Sequence, residues 1–265
     1  MILKRKIYKK LLEWKNECQG KKALLIEGAR RIGKSTICEE FGKNEYESYL
    51  LIDFAKKDKE VEMYFERYLN DLDTFFMLLQ THFGTKLTER NSLIIFDEVQ
   101  MFPQARAAIK YLVADGRYDY IETGSLISIR ENVKNIVIPS EERHINMYPL
   151  DFEEFAIALE EDLLVEYIKK CFEKREPLER SMHNQAMLLF HQYMLVGGMP
   201  MPVVAFIESK KDFTEADKEK RDILKLYRED IMKIDMRYRS KVLAIYDQIP
   251  GFLSQHEKRV VFKLS

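Results

Sequence analysis

The segment Gly28-Ala29-Arg30-Arg31-Ile32-Gly33-Lys34-Ser35 reads G-x-x-x-x-G-K-S, and no other stretch constrains the fold of this chain as tightly. Ahead of it, residues 23–26 form a short continuous apolar run, the mark of a strand buried on both faces. Behind it, residues 36–41 keep helical spacing until Gly42. A glycine-rich turn between a buried strand and a helix lets successive backbone N–H groups face a phosphate, and the positive end of the helix adds to that field. The spacing predicts a nucleoside triphosphate site in which Lys34 reaches the outer phosphates and the Ser35 hydroxyl binds Mg²⁺. Gly28, Ala29, Arg30, Arg31, Ile32, Gly33, Lys34, Ser35 and Thr36 are the residues expected to cradle the nucleotide. The competing reading, a glycine turn with a surface lysine, makes the strand and helix around it a coincidence.

The chain has 265 residues, enough for one large domain or two smaller ones. With 46% hydrophobic and 33% charged residues it is globular rather than disordered. A net charge of −1 gives no overall attraction to nucleic acid or to an anionic membrane. Cys18, Cys38 and Cys171 show no paired spacing, which suits reduced thiols and a cytoplasmic location. The basic N-terminus lacks the apolar core of a signal peptide, and no apolar run approaches the roughly 20 residues of a membrane span. His82, His144, His183, His191 and His256 have no metal-ligand spacing, and Gly124-Ser125 lacks the G-x-S-x-G frame of a hydrolase elbow.

Along the chain, residues 2–18 read as a basic amphipathic helix with Ile7, Leu11, Leu12 and Trp14 inward, packed beside a domain or lying on a membrane. Strands are expected at 23–26, 48–54, 93–98 and 118–123, with a short fifth at 145–148. Between them fall helices at 59–82, broken near Asn70-Asp71, and at 103–114, with Pro103 at its start. That alternation predicts a parallel, doubly wound sheet flanked by helices. After Pro149 only helical periodicity remains: residues 152–159, 163–173, 178–196 and 214–235, with Gly197-Gly198-Met199-Pro200 as a hard stop. The predicted organisation is a nucleotide-binding α/β domain over 1–149, a helical lid over 150–239, and the start of a further domain over 240–265. In that last part residues 240–248 begin a helix, Pro250-Gly251 turns, and the apolar run at 260–264 ends the chain uncapped, so the third domain is expected to be cut short.

Residues 93–98, Leu-Ile-Ile-Phe-Asp-Glu, place two acids at the end of a buried strand. Asp97 suits Mg²⁺ held through its water shell, and Glu98 suits the polarisation of a water aimed at the γ-phosphate. The alternative is an acidic N-cap pair opening the next helix. The intervening strand at 48–54 is read as separating the loop strand from the acid-bearing strand in the sheet, as in the additional-strand NTPases with a catalytic glutamate. Thr123 and Ser125 end the fourth strand, either to sense the γ-phosphate and fix the attacking water or as a glycine turn with a serine cap. One of Arg30 and Arg31 is expected on a phosphate and the other in solvent. Arg143 is either a charge-stabilising arginine or, preferably, half of a surface salt bridge. Glu141-Glu142, Glu160-Glu161-Asp162 and Lys56-Lys57 read as solvated charge.

Together, Gly-Ala-Arg-Arg-Ile-Gly-Lys-Ser-Thr (28–36), Ile-Ile-Phe-Asp-Glu-Val-Gln (94–100), Glu-Thr-Gly-Ser (122–125) and Tyr-Pro-Leu-Asp-Phe-Glu-Glu-Phe (148–155) resemble the prokaryotic AAA-type ATP-binding proteins. In that family the ATPase domain is followed by a helical segment and by a C-terminal domain of unknown function resembling a winged helix with a nuclease-like fold. Gly-Gly-Met-Pro (197–200) is similar to the family's Gly-Gly-Phe-Pro-type turn, and Arg-Glu-Asp-Ile (228–231) to its helix before the C-terminal domain. The resemblance covers about residues 2–240. It implies a P-loop NTPase fold of the AAA type and Mg-ATP bound through Lys34, Ser35 and Asp97. It also implies water activation by Glu98 and sensing by Thr123 or Ser125. Glu142-Arg143 departs from the Gly-Arg pair of many relatives.

The expected function is Mg-ATP binding and hydrolysis that drive the helical lid as a conformational switch toward a protein partner or C-terminal domain. One rival is an ATP-gated binding or signalling module with negligible turnover. A second rival, a P-loop small-molecule kinase, is disfavoured by the water-activating Glu98. Gly197-Gly198 is either a hinge for the lid or a helix terminus. No basic-aromatic stripe supports nucleic-acid binding.

Overall fold

The apolar runs of the first half become a five-stranded, all-parallel sheet. Its strands are β1 (Ala23–Glu27), β2 (Ser48–Asp53), β3 (Ser92–Asp97), β4 (Asp119–Gly124) and β5 (Glu142–Asn146), in the spatial order β2-β3-β4-β1-β5. The computed structural model describes residues 1–125, 140–232 and 234–254. β3 and β4 are buried along their whole length, as continuous apolar strands covered on both faces must be. The loop strand β1 and the acid-bearing strand β3 are indeed separated, but by β4 rather than by the strand that lies between them in sequence. β2 pairs on the outer side of β3, with Asp53 opposite Asp97. The chain crosses over β3 and β4 to the far edge before returning, so sequence order and spatial order diverge.

Helices cover both faces. α1 (Ile7–Cys18) and α2 (Lys34–Glu45) pack Leu11, Trp14, Ile37 and Phe41 against Leu24, Ile26 and Ile95. The N-terminal helix therefore packs beside the domain, with Leu12 only partly buried. The opposite face takes α3 (Lys59–Arg67), α4 (Leu72–Phe83) and α5 (Pro103–Asp115), which bury Phe65, Phe75, Leu79 and Ile109 against Leu25, Ile94 and Phe96. Asp71, whose carboxylate accepts from the Thr74 N–H at 3.2 Å, caps α4 and accounts for the break foreseen near Asn70-Asp71.

From Leu150 onward the described residues form helices only: α6 (Phe152–Ala158), α7 (Asp162–Lys174), α8 (Arg180–Val196), α9 (Pro200–Glu208), α10 (Phe213–Ile231) and α11 (Met236–Ser254). A third apolar cluster, with Phe155, Leu189, Val203 and Phe206 at its centre, binds α6, α8 and α9 together. Gly198 lets α9 turn back. Its carbonyl accepts the Leu150 N–H at 2.7 Å, and a Cβ built on it meets the Leu150 carbonyl oxygen at 2.1 Å. Among the described residues no single helix is long and apolar enough to cross a membrane.

Several boundaries differ from the sequence expectation. β5 lies at Glu142–Asn146 rather than 145–148, because its register against β1 pairs Ala23 with Glu142 and Glu27 with Asn146. The charges in Glu-Arg-His hide that strand. Glu142 is not solvated: it is buried, and Arg106 of α5 grips it through two bonds of 3.0 and 2.7 Å. The stop at 197–200 also starts a helix not foreseen, α9, with Pro200 at its first position, where a missing N–H costs nothing. α10 ends at Ile231, because Asp235 serves instead as a start signal, accepting the Arg237 N–H at 3.0 Å. α11 begins before residue 240 and runs through Pro250-Gly251, which were expected to turn. One proline removes a single intrahelical bond, and its neighbours carry the helix past it. The apolar run at 260–264 lies outside the described residues.

Glu122 of β4 is fully buried beside the Arg106–Glu142 pair. Burial first, and then the neighbouring Glu142 charge, raise its pKa well above the ordinary 4.5, with Arg106 opposing. The folded chain thus holds this proton more tightly than the unfolded chain. Its contribution to stability falls as pH rises from the unfolded value through the folded one. Glu122→Gln keeps the shape without the titration. Its midpoint in denaturant melts is expected to gain on that of the parent as pH is raised from about 5 to about 8, and a pH-independent difference would contradict this.

Candidate functional site

The loop from Gly28 to Ser35 joins the carboxyl end of β1 to the first turn of α2, at the C-terminal edge of the sheet where α/β folds place their ligands. Gly33 sits at the helix N-cap with φ 88°, and Arg31 also adopts a positive φ of 67°. Gly28 is needed for a different reason: a Cβ there meets the Met147 carbonyl oxygen at 2.4 Å and the Ile32 side chain at 2.6 Å. The turn therefore packs directly against the strand-end backbone of β5. Lys34 is buried, and its ammonium donates to the Gly28 and Ala29 carbonyls at 3.1 and 2.8 Å. Desolvation lowers its pKa, while Glu98 and Asp97 work in the opposite sense.

The acid side is built from β3, β4 and α2. Asp97 Oδ1 accepts the Ser35 hydroxyl at 2.9 Å and also the Thr123 hydroxyl from the adjacent strand. Thr123 Oγ1 in turn accepts the Glu98 N–H at 3.3 Å. Glu98 has a positive φ of 54°, an uncommon conformation for a glutamate and one that clusters at functional sites. It sits at the N-cap of the short 3₁₀ turn Val99–Met101, yet its side chain makes no capping bond. The Gln100 amide donates to its carboxylate instead.

Both groups border one cleft of about 520 Å³. Its floor is the loop with Asp97 and Glu98, and its opposite wall comes from the helical segment: Pro200 and Met201 of α9, and Leu226, Tyr227 and Asp230 of α10. Arg30 reaches across to Asp230 with both oxygens at 2.6 Å, and the Tyr227 hydroxyl donates to the Arg30 carbonyl at 3.0 Å. Next to this cleft, and sharing Gly33, Thr36, Pro200 and Met201 with it, lies a smaller apolar pocket of about 110 Å³ closed by Ile2, Leu3 and Ile37.

The expected residues thus converge, with Lys34, Ser35, Asp97, Glu98 and Thr123 at one edge and Arg31 and Thr36 on the rim. Arg143 lies elsewhere. It pairs with Leu24, away from the loop end of β1, and forms an exposed ion pair with Glu17 at 2.5 Å, the surface bridge the sequence favoured. Ser125 follows β4 directly and is half-buried. Asp53, Gln100, Tyr227 and Asp230 were not singled out as site residues. Asp53 carries one legible signal, an acid ending an apolar strand, whereas Tyr227 and Asp230 reach the loop from about 200 residues away. The oxygen set of Ser35 and Asp97 suits Mg²⁺, which takes one or two protein oxygens and completes its shell with phosphate and water. Among the described residues no group of three or more His, Cys, Asp or Glu could hold a metal ion.

The family described as an AAA domain matches residues 20–156. No curated protein matches the chain. Among solved structures, that of C. elegans PCH-2 is similar at 11% identity with a TM-score of 0.37, over 81% of this chain and 64% of that one. This chain thus spans less than two thirds of that structure's length.

The contact of Gly28 with Met147 sets a steric expectation. Gly28→Ala forces the loop off the β5 backbone and is expected to destabilise the fold by roughly 1–3 kcal/mol. Gly251→Ala, where nothing lies within 4 Å of the added carbon, is expected to gain about 0.5–1 kcal/mol of helix stability. Urea melts of both variants check the contrast, and equal effects would contradict it.

Proposed function

The chain belongs to the AAA domain family, and on that premise we propose that Mg-ATP occupies the cleft over the phosphate loop and is hydrolysed there. The observation that carries the reading is the convergence of Ser35, Asp97 and Thr123 in one hydrogen-bonded knot with the Glu98 backbone, beside the buried Lys34. Loop N–H groups and the α2 terminus receive the phosphates. Lys34 exchanges its carbonyl partners for β- and γ-phosphate oxygens, a better match for a desolvated ammonium. Ser35 and Asp97 would hold Mg²⁺, which would supply neutralisation of charge on the phosphates. The apolar pocket beside Thr36 and Ile37 accepts the base.

Glu98 takes a proton from water as the water oxygen attacks the γ-phosphorus, and the bond to the β–γ bridging oxygen breaks to leave ADP and phosphate. The Gln100 amide orients that carboxylate, and Thr123 fixes the Glu98 backbone, with Ser125 beside it as a candidate sensor. Residues 1–149 act as the nucleotide unit and 150–239 as a lid, which passes the nucleotide state to a protein partner. Tyr227 and the Arg30–Asp230 pair support that reading, since they tie α10 to the same loop that receives phosphate. Free Cys18, Cys38 and Cys171 fit a reducing, cytoplasmic setting.

Lys34→Ala is expected to abolish Mg-ATP binding by calorimetry. Glu98→Gln is expected to keep binding and lose about 10²–10⁴ in turnover, because an amide accepts no proton from water. Hydrolysis at the parent rate in Glu98→Gln would place the base elsewhere. Asp97→Asn is expected to weaken the Mg²⁺ dependence of binding.

ATP is expected to slow hydrogen exchange at 28–35 and at 194–201, and Asp230→Asn is expected to remove the second effect while sparing the first. Protection confined to the loop in the parent would remove the switch and leave nucleotide binding intact.

A further inference from the structure

We propose that Arg5 is a positioning residue for the phosphate loop, acting through the carbonyl of Ile32; the inference rests on nucleotide binding at that loop. Arg5 lies ahead of residues 20–156, the stretch matched by the AAA domain, and has no place in the motifs described above. Its side chain is only 6% exposed. The guanidinium donates in three directions: to the Ile32 carbonyl at 2.9 Å, to the Tyr148 carbonyl at 2.5 Å, and to the Glu154 carboxylate at 3.3 Å. One side chain therefore ties the N-terminal segment to the loop, to the turn after β5 and to the first helix of the helical segment.

The bond to Ile32 bears on chemistry as well as packing. A trans peptide unit is planar, with its C=O and N–H on opposite sides. Holding the Ile32 oxygen toward Arg5 thus fixes the direction of the Gly33 N–H, which belongs to the same plane and lies at the cleft floor. Gly33, with φ 88° and no Cβ, has wide backbone freedom of its own, so this orientation needs an external grip. Tyr227 grips the Arg30 carbonyl, two peptide units further back, from the opposite wall.

The grip is itself braced. Glu154 is almost fully buried, accepts the Lys6 N–H at 2.6 Å, and closes the capping box of α6 through the Asp151 N–H at 3.2 Å. Its two oxygens hold Arg5 in register with α6, so the anchor of the loop and the start of the helical segment are one unit. Arginine suits the position because its rigid planar fork reaches acceptors that diverge, and a lysine ammonium on a flexible stem does not reproduce that span.

The test compares Arg5→Lys and Arg5→Met with the parent chain, using Mg-ATP and magnesium pyrophosphate as calorimetric probes well below each melting temperature. Pyrophosphate isolates the loop from the apolar pocket that Arg5 also borders. Both variants are expected to bind both probes about 10- to 100-fold more weakly, the scale of one lost charge-assisted hydrogen bond. Arg5→Lys keeps a cation beside Glu154 and so supplies the measurement if Arg5→Met does not fold. Affinities within twofold of the parent, with only a lower melting temperature, would overturn the inference and leave Arg5 a structural residue. If the parent binds Mg-ATP and Lys34→Ala does not, such a result counts against Arg5 alone. If the parent binds neither probe, nucleotide binding fails and this inference falls with it.

Discussion

A single carboxylate oxygen on Asp97 organises the site. It accepts hydroxyl hydrogen bonds from Ser35 on α2 and from Thr123 on β4, so three elements meet at one buried acceptor. The Thr123 bond requires β4 beside β3, and β1 on the other side of β4 delivers the loop and Ser35 to the same acceptor. A buried carboxylate without partners costs several kcal/mol, so these two hydroxyls stabilise Asp97 where it stands. The same threonine oxygen that donates to Asp97 accepts the Glu98 N–H, which ties the strained Glu98 backbone to the sheet.

The loop that faces this knot is held from outside the sheet. Arg5 grips the Ile32 carbonyl, Tyr227 grips the Arg30 carbonyl, and Gly28 packs on Met147. Two of these contacts come from opposite ends of the chain. The phosphate loop is therefore a junction at which the N-terminal segment, the sheet and the helical segment meet. The Arg30–Asp230 and Tyr227 contacts attach α10 to that loop directly, without a long relay through the core.

Much of this was legible in the sequence where one residue's neighbours decide its conformation. The loop, the buried strands β1, β3 and β4, the proline-led α5 and the Asp97-Glu98 pair all follow from local pattern. What escaped depended on distant partners. β5 was misplaced because Glu142 looks solvated until Arg106 is brought against it by a different helix. α9 is hidden in the sequence because Gly-Gly-Met-Pro carries the signature of a stop, although its proline opens a helix equally well. Tyr227 and Asp230 carry no motif, and only the return of α10 onto the loop gives them a role. Arg5 is equally silent in sequence, one basic residue among many at the N-terminus.

The claim that this constellation is a hydrolytic centre, and not solely a nucleotide pocket, is tested most directly by following phosphate release from the parent protein with Mg-ATP in excess. Steady release beyond one phosphate per chain, lost when Mg²⁺ is withdrawn, is the expected result. Tight Mg-ATP binding with the nucleotide recovered intact would contradict it.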